Sequence, residues 1–445
     1  MEVLLISLGC DKNLVDSEVI LGMLVENGYT ITDDEEAADI IIINTCCFIH
    51  DAKEESIETI LDMAALKADG RLKALIVTGC LAERYREEIQ KEIPEVDAIV
   101  GTAAIDDIIA AIDGALVKQC GMYFSDLNTK PVGNRRRLVT TGGHYAYLKI
   151  AEGCDKHCTY CIIPRIRGPF RSIDMEELVA EARKLVSGGV RELILVAQET
   201  TLYGVDRYGR KALPELLTRL CAIDGLVWVR LLYCYPEEIT DELIAVMARE
   251  PKICHYLDLP IQHGSDTVLK RMGRRTDNAQ IRDLVGRLRH AIPDICLRTT
   301  MITGFPGESV KEHEESLKLA AELQFDRLGV FTYSCEEDTP AAALPGQIRE
   351  KVKRARRSEL MRQQQRTIDR SSQTMIGREL MVMVEGSVSG EDAYVARTYR
   401  DTPNVDGYLF FDTTRTLMSG DFVKVRVTNI SGYDLIGELC DESAE

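Results

Sequence analysis

The chain lacks any long apolar run. No stretch approaches the roughly 20 residues a bilayer-spanning helix needs, so a membrane anchor is not expected. A secretory leader is not expected either, since Met1-Glu2 passes straight into Val3–Ile6 with no basic start and no cleavage site. A cytoplasmic protein is expected. Basic residues are short: 54 Lys and Arg face 72 Asp and Glu, a formal net charge of −18. That balance argues against a general nucleic-acid binder and favours a basic partner drawn by the long-range field. A surface kept acidic for solubility gives the same sum, so the distribution of charge matters more.

What is present in quantity is cysteine, 14 in 445 residues. In a long cytosolic chain such thiols indicate metal or redox chemistry rather than disulfides. The length allows two or three domains with their own cores. One stretch, Cys154-Asp155-Lys156-His157-Cys158-Thr159-Tyr160-Cys161, places three thiols within eight residues. Thiolates are the soft ligands that hold iron–sulfur clusters. Three of them leave one iron of a four-iron cubane open to a substrate. The competing reading is a structural zinc site with His157 as fourth ligand. His157 adjoins Cys158, which makes a shared ion awkward. The spacing, with an aromatic residue before the last Cys, resembles the signature of the radical S-adenosylmethionine (SAM) superfamily. The resemblance implies that the open iron chelates SAM and cleaves it to a 5′-deoxyadenosyl radical.

Residues 1–115 alternate strand and helix. The strands expected are Val3–Ser7, Asp39–Asn44, Ala74–Thr78 and Ala98–Val100. Helical spacing covers Ser17–Asn27, Lys53–Lys67 and Arg84–Glu92. Asp16 or Ser17 serves as N-cap of the first helix and Gly28 as its stop. The pattern predicts a doubly wound parallel sheet. Cys10, Cys46 and Cys80 follow three of its strands within two or three residues, so they gather on the carboxyl edge, where ligands bind. Gly9 and Gly79 precede two of them and permit close approach. Unrelated core thiols are the alternative. Cys47 rivals Cys46, and adjacent side chains of an extended segment point opposite ways.

Residues 116–139 read as a linker, with Arg135-Arg136-Arg137 as a solvated charge run. Over 140–372 the alternation resumes. Strands are expected at Tyr145–Ile150, Glu192–Ala197, Val227–Tyr233, Tyr256–Ile261, Leu297–Ile302 and Leu328–Tyr333. Helices separate them, as at Met175–Ser187, Leu213–Ile223, Thr240–Arg249, Asn278–Ala291 and Val310–Leu323. Six parallel units predict a partial (β/α)6 barrel with its active face at the strand carboxyl ends. Residues 347–372 read as a surface helix with few apolar positions. From 373 to 441, five short strands predict a small antiparallel β-barrel.

Together the motifs resemble the radical SAM methylthiotransferase family. They are Leu8-Gly9-Cys10 with Lys12–Glu18, Asn44-Thr45-Cys46, Thr78-Gly79-Cys80, His144–Cys161, Leu257–Ser265, Gly304–Glu308 and Tyr433-Asp434-Leu435. The last module resembles a TRAM domain. The resemblance implies two 4Fe–4S clusters, one on Cys154, Cys158 and Cys161 and an auxiliary one on Cys10, Cys46 and Cys80. It also implies attachment of a methylthio group to an unactivated carbon, one SAM methylating sulfur and a second supplying the radical. Asp11 and Cys47 depart from the residues usual at those places, Pro and Gly.

For SAM, the resemblance puts Tyr160 near the adenine and Gln198 and Glu199 at the amino group. Gly304 to Glu308 lines the adenine or ribose, or is an ordinary turn. Arg298 meets the SAM carboxylate or pairs with an acid. Gln262 and His263 are polar lining or a satisfied core pair. Cys120, Cys221, Cys234, Cys254, Cys296, Cys335 and Cys440 are core or surface thiols, with Cys335 nearest to a site.

The family modifies either a ribosomal protein or an adenosine beside the tRNA anticodon. From residue 373 onward six basic residues face thirteen acidic ones, the wrong sign for clamping phosphates. Lys12–Glu18 and Phe48-Ile49 resemble the ribosomal branch. The expected function is methylthiolation at Cβ of an aspartate in protein twelve of the small subunit; the alternative is a tRNA methylthiotransferase acting on isopentenyladenosine. The resemblance further implies an electron donor such as flavodoxin or ferredoxin. Contact with nucleic acid would be secondary, and a membrane has no part.

Overall fold

A computed structural model describes residues 1–440; Asp441, the expected last residue of the final module, lies outside them. The first sheet contains β1 (Glu2–Ser7), β2 (Thr30–Ile31), β3 (Ile40–Thr45), β4 (Ala74–Gly79), β5 (Ala98–Val100) and β6 (Gly121–Tyr123). Their order is β2-β1-β3-β4-β5-β6, and all pairs are parallel. Four consecutive isoleucines make β3 a central strand. Ile41 and Ile43 pack into the core on one face, Ile40 and Ile42 into the core on the other, and all four are fully buried. Each such side chain contributes about 2 kcal/mol by leaving water. The chain order reverses between β1 and β3, the place where a doubly wound sheet opens a ligand crevice.

Four local expectations need correction. The first helix spans Asp11–Glu26, starting directly after Cys10 rather than at Ser17. Asp16 and Ser17 are not caps but buried helical positions, as is Glu18. The Ser17 hydroxyl donates to Ser7 Oγ at 2.8 Å, and Asp16 pairs with Arg167 at 2.7 Å. The helix expected over Arg84–Glu92 is two pieces, Cys80–Arg84 and Arg86–Glu92, broken at Tyr85. Strand β6 lies inside the stretch read as a linker. The arginine triplet there is solvated only in part: Arg136 is exposed, but the Arg137 side chain is buried, 3.2 Å from Glu18 and 3.3 Å from Glu181, and Arg135 binds Asp106.

The second sheet contains β7 (Tyr145–Lys149). A short antiparallel pair follows, β8 (Ala151–Glu152) with β9 (Arg171–Ser172). The sheet continues with β10 (Glu192–Val196), β11 (Trp228–Leu231), β12 (Ile253–Asp258), β13 (Cys296–Thr303) and β14 (Arg327–Thr332). Every strand pairs in parallel with its neighbour, giving the six-stranded partial barrel. Leu148, Leu195, Leu231 and Leu257 pack outward under the helices, while Tyr147, Val196 and Tyr256 face inward. The helix Glu350–Gln373 is no mere surface bridge. Leu360 and Ile368 are fully buried, and Gln364 Nε2 donates to the Phe325 carbonyl at 2.9 Å.

The last module contains β15 (Glu379–Ser387), β16 (Ala393–Thr398), β17 (Leu409–Asp412), β18 (Phe422–Ser431) and β19 (Asp434–Leu439), closed into a barrel. It is not wholly antiparallel, because β17 and β19 pair in parallel. The module plugs the interior of the partial barrel. Met383 joins the inward core, and the Trp228 and Phe422 rings meet edge-on at 4.8 Å. Buried ion pairs surround this contact: Glu192 holds Arg230 and Arg397 at 2.7 Å each, Arg298 meets Asp406 at 2.9 Å, and Arg327 meets Asp401 at 2.7 Å.

Candidate active site

The loops after β1, β3 and β4 carry Cys10, Cys46 and Cys80, and one side chain stitches them together. Asn13 Nδ2 donates to the Leu8 carbonyl at 3.1 Å and to the Thr45 carbonyl at 2.9 Å. Its Oδ1 lies 3.8 Å from the Cys80 thiol. Asn44 and Thr45 extend the stitching. Asn44 Nδ2 donates to the Asn13 carbonyl at 2.9 Å, and Thr45 Oγ1 donates to the Thr78 carbonyl at 2.6 Å. The Asn-Thr-Cys frame therefore has a physical reason: its two polar residues fix the flanking loops while the cysteine faces the crevice. A Cβ on Gly9, whose φ is +92°, would stand 2.9 Å from Cys46 Sγ. Only glycine allows that approach.

Cys46 and Cys47 diverge as expected of adjacent residues. The Cys46 thiol is pushed up by burial and feels Cys10 and Arg167. Cys47 is fully buried in the core; its Sγ donates to the Cys80 carbonyl at 3.1 Å, and burial pushes it up to about 12. Cys80 is also raised by burial, with Arg167 pulling the other way.

The second trio sits on a loop pinned at its base by β8 and β9. Gly153, at φ +79°, faces the Pro169 carbonyl where no Cβ fits, and Cys154 N–H donates to the Gly168 carbonyl at 3.1 Å. Cys154 and Cys158 are buried and Cys161 is partly exposed. Burial pushes Cys154 up to about 12 and raises Cys161 as well. His157 is exposed, with a left-handed backbone, φ +50°, whereas Cys154 and Cys158 beside it are buried. Among the described residues no three His, Cys, Asp or Glu side chains close on a single metal ion.

Burial without a cation keeps the Cys46, Cys80, Cys154 and Cys161 thiols protonated, and soft iron would reverse that preference. The residues fit an iron–sulfur cluster in another respect: Arg167, on the short helix Ile163–Arg167 just past Cys161, places Nε and Nη2 each 3.4 Å from Cys80 Sγ. One trio's loop thus touches the other trio.

The expected SAM contacts separate. Glu199 is fully buried; Thr201 N–H donates to Oε1 at 2.9 Å, and Oε2 has no hydrogen-bond partner. Burial pushes its carboxyl up to about 7, against the pull of Lys156. An unpartnered buried acceptor suits an ammonium group. Gln198 is engaged internally, accepting from Gly153 N–H at 2.9 Å and donating to Glu152 at 2.7 Å. Arg298 pairs with acids, Asp406 at 2.9 Å and Asp258 at 3.5 Å. The Gly304 and Phe305 amides both donate to Glu308, and Lys353 fills the space beside Gly304, so this turn is built by its own residues. Tyr160 packs with Met272 and Phe305 as an apolar shelf beside the cysteine loop. His263 is a satisfied core residue, bonded to Ser265 N–H at 3.0 Å and to the Ser316 hydroxyl at 3.2 Å. Gln262 differs: its backbone is left-handed, φ +71°, and its Oε1 is unpartnered.

Sequence reasoning missed Asn13, Lys156 and Arg167. Lys156 binds Glu238 and lies 3.8 Å from Glu199 and 3.7 Å from Glu237. Asn13 and Lys156 lie inside the quoted motifs, a usable signal; nothing local marks Arg167.

Residues 2–101 match the model of "Uncharacterized protein family UPF0004", residues 148–320 the Radical SAM superfamily, and residues 376–440 the TRAM domain. A relative from Lachnoclostridium phytofermentans is 59% identical over 98% of this chain and 99% of its own length. It is named ribosomal protein uS12 methylthiotransferase RimO. A Geobacter sulfurreducens protein of the same name is 51% identical over 98% of each chain. Among solved structures, the radical SAM methyltransferase TsrM of Kitasatospora setae, with cobalamin and a [4Fe-4S] cluster bound, aligns over 76% of each chain. Its TM-score is 0.56 at 14% identity, a likeness of fold alone. Thiol spacing, the parallel barrel and full-length similarity agree, and the chain belongs to the RimO family of radical SAM methylthiotransferases.

Proposed function

We propose that this protein methylthiolates Cβ of an aspartate in ribosomal protein uS12, using two SAM molecules and two 4Fe–4S clusters. Cys154, Cys158 and Cys161 hold the radical SAM cluster; Cys10, Cys46 and Cys80 hold the auxiliary one. When bound, the SAM-loaded cluster supplies a radical able to take hydrogen from an unactivated carbon, which no side chain can do. The chain's own residues position and enclose. Glu199 Oε2 receives the SAM ammonium, and the Tyr160 shelf takes an apolar ring. The observation that carries the reading is the contact of Arg167 with Cys80, which ties the two cysteine loops to one crevice. We place the auxiliary unit at residues 1–123, extended past the expected 115 by strand β6, the linker at 124–139, the radical SAM core at 140–372 and the TRAM module from 373 onward.

The module's charge favours a protein substrate over tRNA. Of its six basic residues, Arg397 and Arg400 turn inward to Glu192 and Asp326. Arg378, Arg415, Lys424 and Arg426 remain exposed among the acids, and Arg426 is paired with Glu379. A basic ribosomal protein suits that surface, with any nucleic-acid contact secondary. Such a substrate puts the work in the cytoplasm, and among the described residues no helix is long and apolar enough to cross a membrane. Flavodoxin or ferredoxin supplies the electron. Mass spectrometry of uS12 from a deletion strain, beside nucleoside analysis of its tRNA, tests the assignment. Loss of the thiomethyl aspartate with intact tRNA is expected; the reverse would establish the tRNA enzyme.

A further inference from the structure

We propose that Arg167 raises the reduction potential of the cluster held by Cys10, Cys46 and Cys80 by hydrogen bonding to the Cys80 sulfur. The inference rests on the two-cluster reading above. Arg167 is a positioning residue that enters the auxiliary site from the other domain, six residues after Cys161. Its guanidinium is buried and held by both domains. Nη1 donates to Asp16 at 2.7 Å and Glu152 at 3.4 Å, and Nη2 donates to Asn13 and Cys80. The Nε–H has one acceptor, Cys80 Sγ at 3.4 Å. Without the sulfur it would be a buried donor left unmade, so the contact is built in.

Two effects act in the same direction. An N–H donated to a ligand sulfur withdraws electron density from iron, and a buried positive charge favours the more negative, reduced cluster. Water does not dilute either effect, because the side chain is only 3% exposed. Lys149 shares the carboxylates of Asp16 and Glu152 with Arg167. Two cations against two anions leave this quartet neutral overall, so the effect at the sulfur comes from the guanidinium N–H groups that donate to it directly. The Ile163–Arg167 helix begins two residues past Cys161, so any shift of the radical SAM loop also moves this donor. Lysine keeps the charge but loses the fork that bonds sulfur and carboxylate together.

The test uses full-length protein, reconstituted anaerobically, in a C154A/C158A/C161A background that isolates the auxiliary cluster. Iron is counted and the cluster is titrated against potential by electron paramagnetic resonance, with Arg167→Gln and Arg167→Lys beside the parent. R167Q should stay loaded while its reduced-to-oxidised ratio at the parent's midpoint falls about tenfold, a shift of ~59 mV to more negative potential. R167K should fall between the two. A loaded R167Q that titrates with the parent would overturn the proposal. Loss of iron from both variants would overturn it too, leaving Arg167 a holding role only. A parent that binds no iron would remove the auxiliary cluster itself, a different failure.

Discussion

At the scale of single residues, side chains that look alike in sequence have opposite surroundings. Cys46 and Cys47 are neighbours, yet one faces Cys10 and Arg167 and the other is sealed in the core against Cys80. Cys46→Ala should therefore lose one cluster's iron from the reconstituted protein, whereas Cys47→Ala should keep both and cost about 1–2 kcal/mol from lost packing. Iron per chain and denaturant midpoints read both effects. Glu199 carries a pH signature. Its carboxyl is pushed up to about 7 from an ordinary value near 4.5. Between those values the folded protein holds a proton that the unfolded chain has lost, so stability falls as pH rises, by about 3 kcal/mol in all. Glu199→Gln should remove that slope. Its gain over the parent should grow from pH 4.5 to 7 and then level off in denaturant titrations of the iron-free protein.

At the scale of elements, the strands were legible because their apolar runs are short and bounded, and the barrel helices because their apolar stripes keep helical spacing. The first helix was misread because Asp16, Ser17 and Glu18 look like a solvent-facing start. They are buried instead, with partners 10 to more than 100 residues away. The linker hid strand β6 because three residues give too little periodicity to see. The cysteine loop depends on its hinge. Gly153 has a left-handed backbone against the Pro169 carbonyl. Gly153→Ala should cost about 1–3 kcal/mol and detach the base of the loop. Iron on the second trio should drop while the first trio keeps its share, a split visible in variants that hold one trio at a time.

At the scale of the whole molecule, charge holds the last module in the barrel. Asp406 receives Arg298 at 2.9 Å and the Tyr256 hydroxyl at 2.7 Å. Asp406→Ala would leave the buried arginine only Asp258, at 3.5 Å, and the Tyr256 hydroxyl without its acceptor, at a cost of about 3 kcal/mol. Adding Arg298→Ala should recover part of that loss, which a double-mutant cycle in urea would read. The acidic excess that separates a protein substrate from RNA is a property of the same module. Two of its arginines and two of its aspartates, Arg397, Arg400, Asp401 and Asp406, turn inward, so the exposed face keeps the acidic excess of the whole module.

The sequence by itself determined the spacing of Cys154, Cys158 and Cys161, the run of parallel units and the closing small barrel, because thiol spacing and apolar periodicity are local. Only the tertiary structure decided that Arg167 touches Cys80, that Arg298 faces Asp406 and that Asn13 ties three loops together. Those contacts join residues far apart in the chain. A buried charge is stable only beside its partner, and which partner that is depends on how the domains meet.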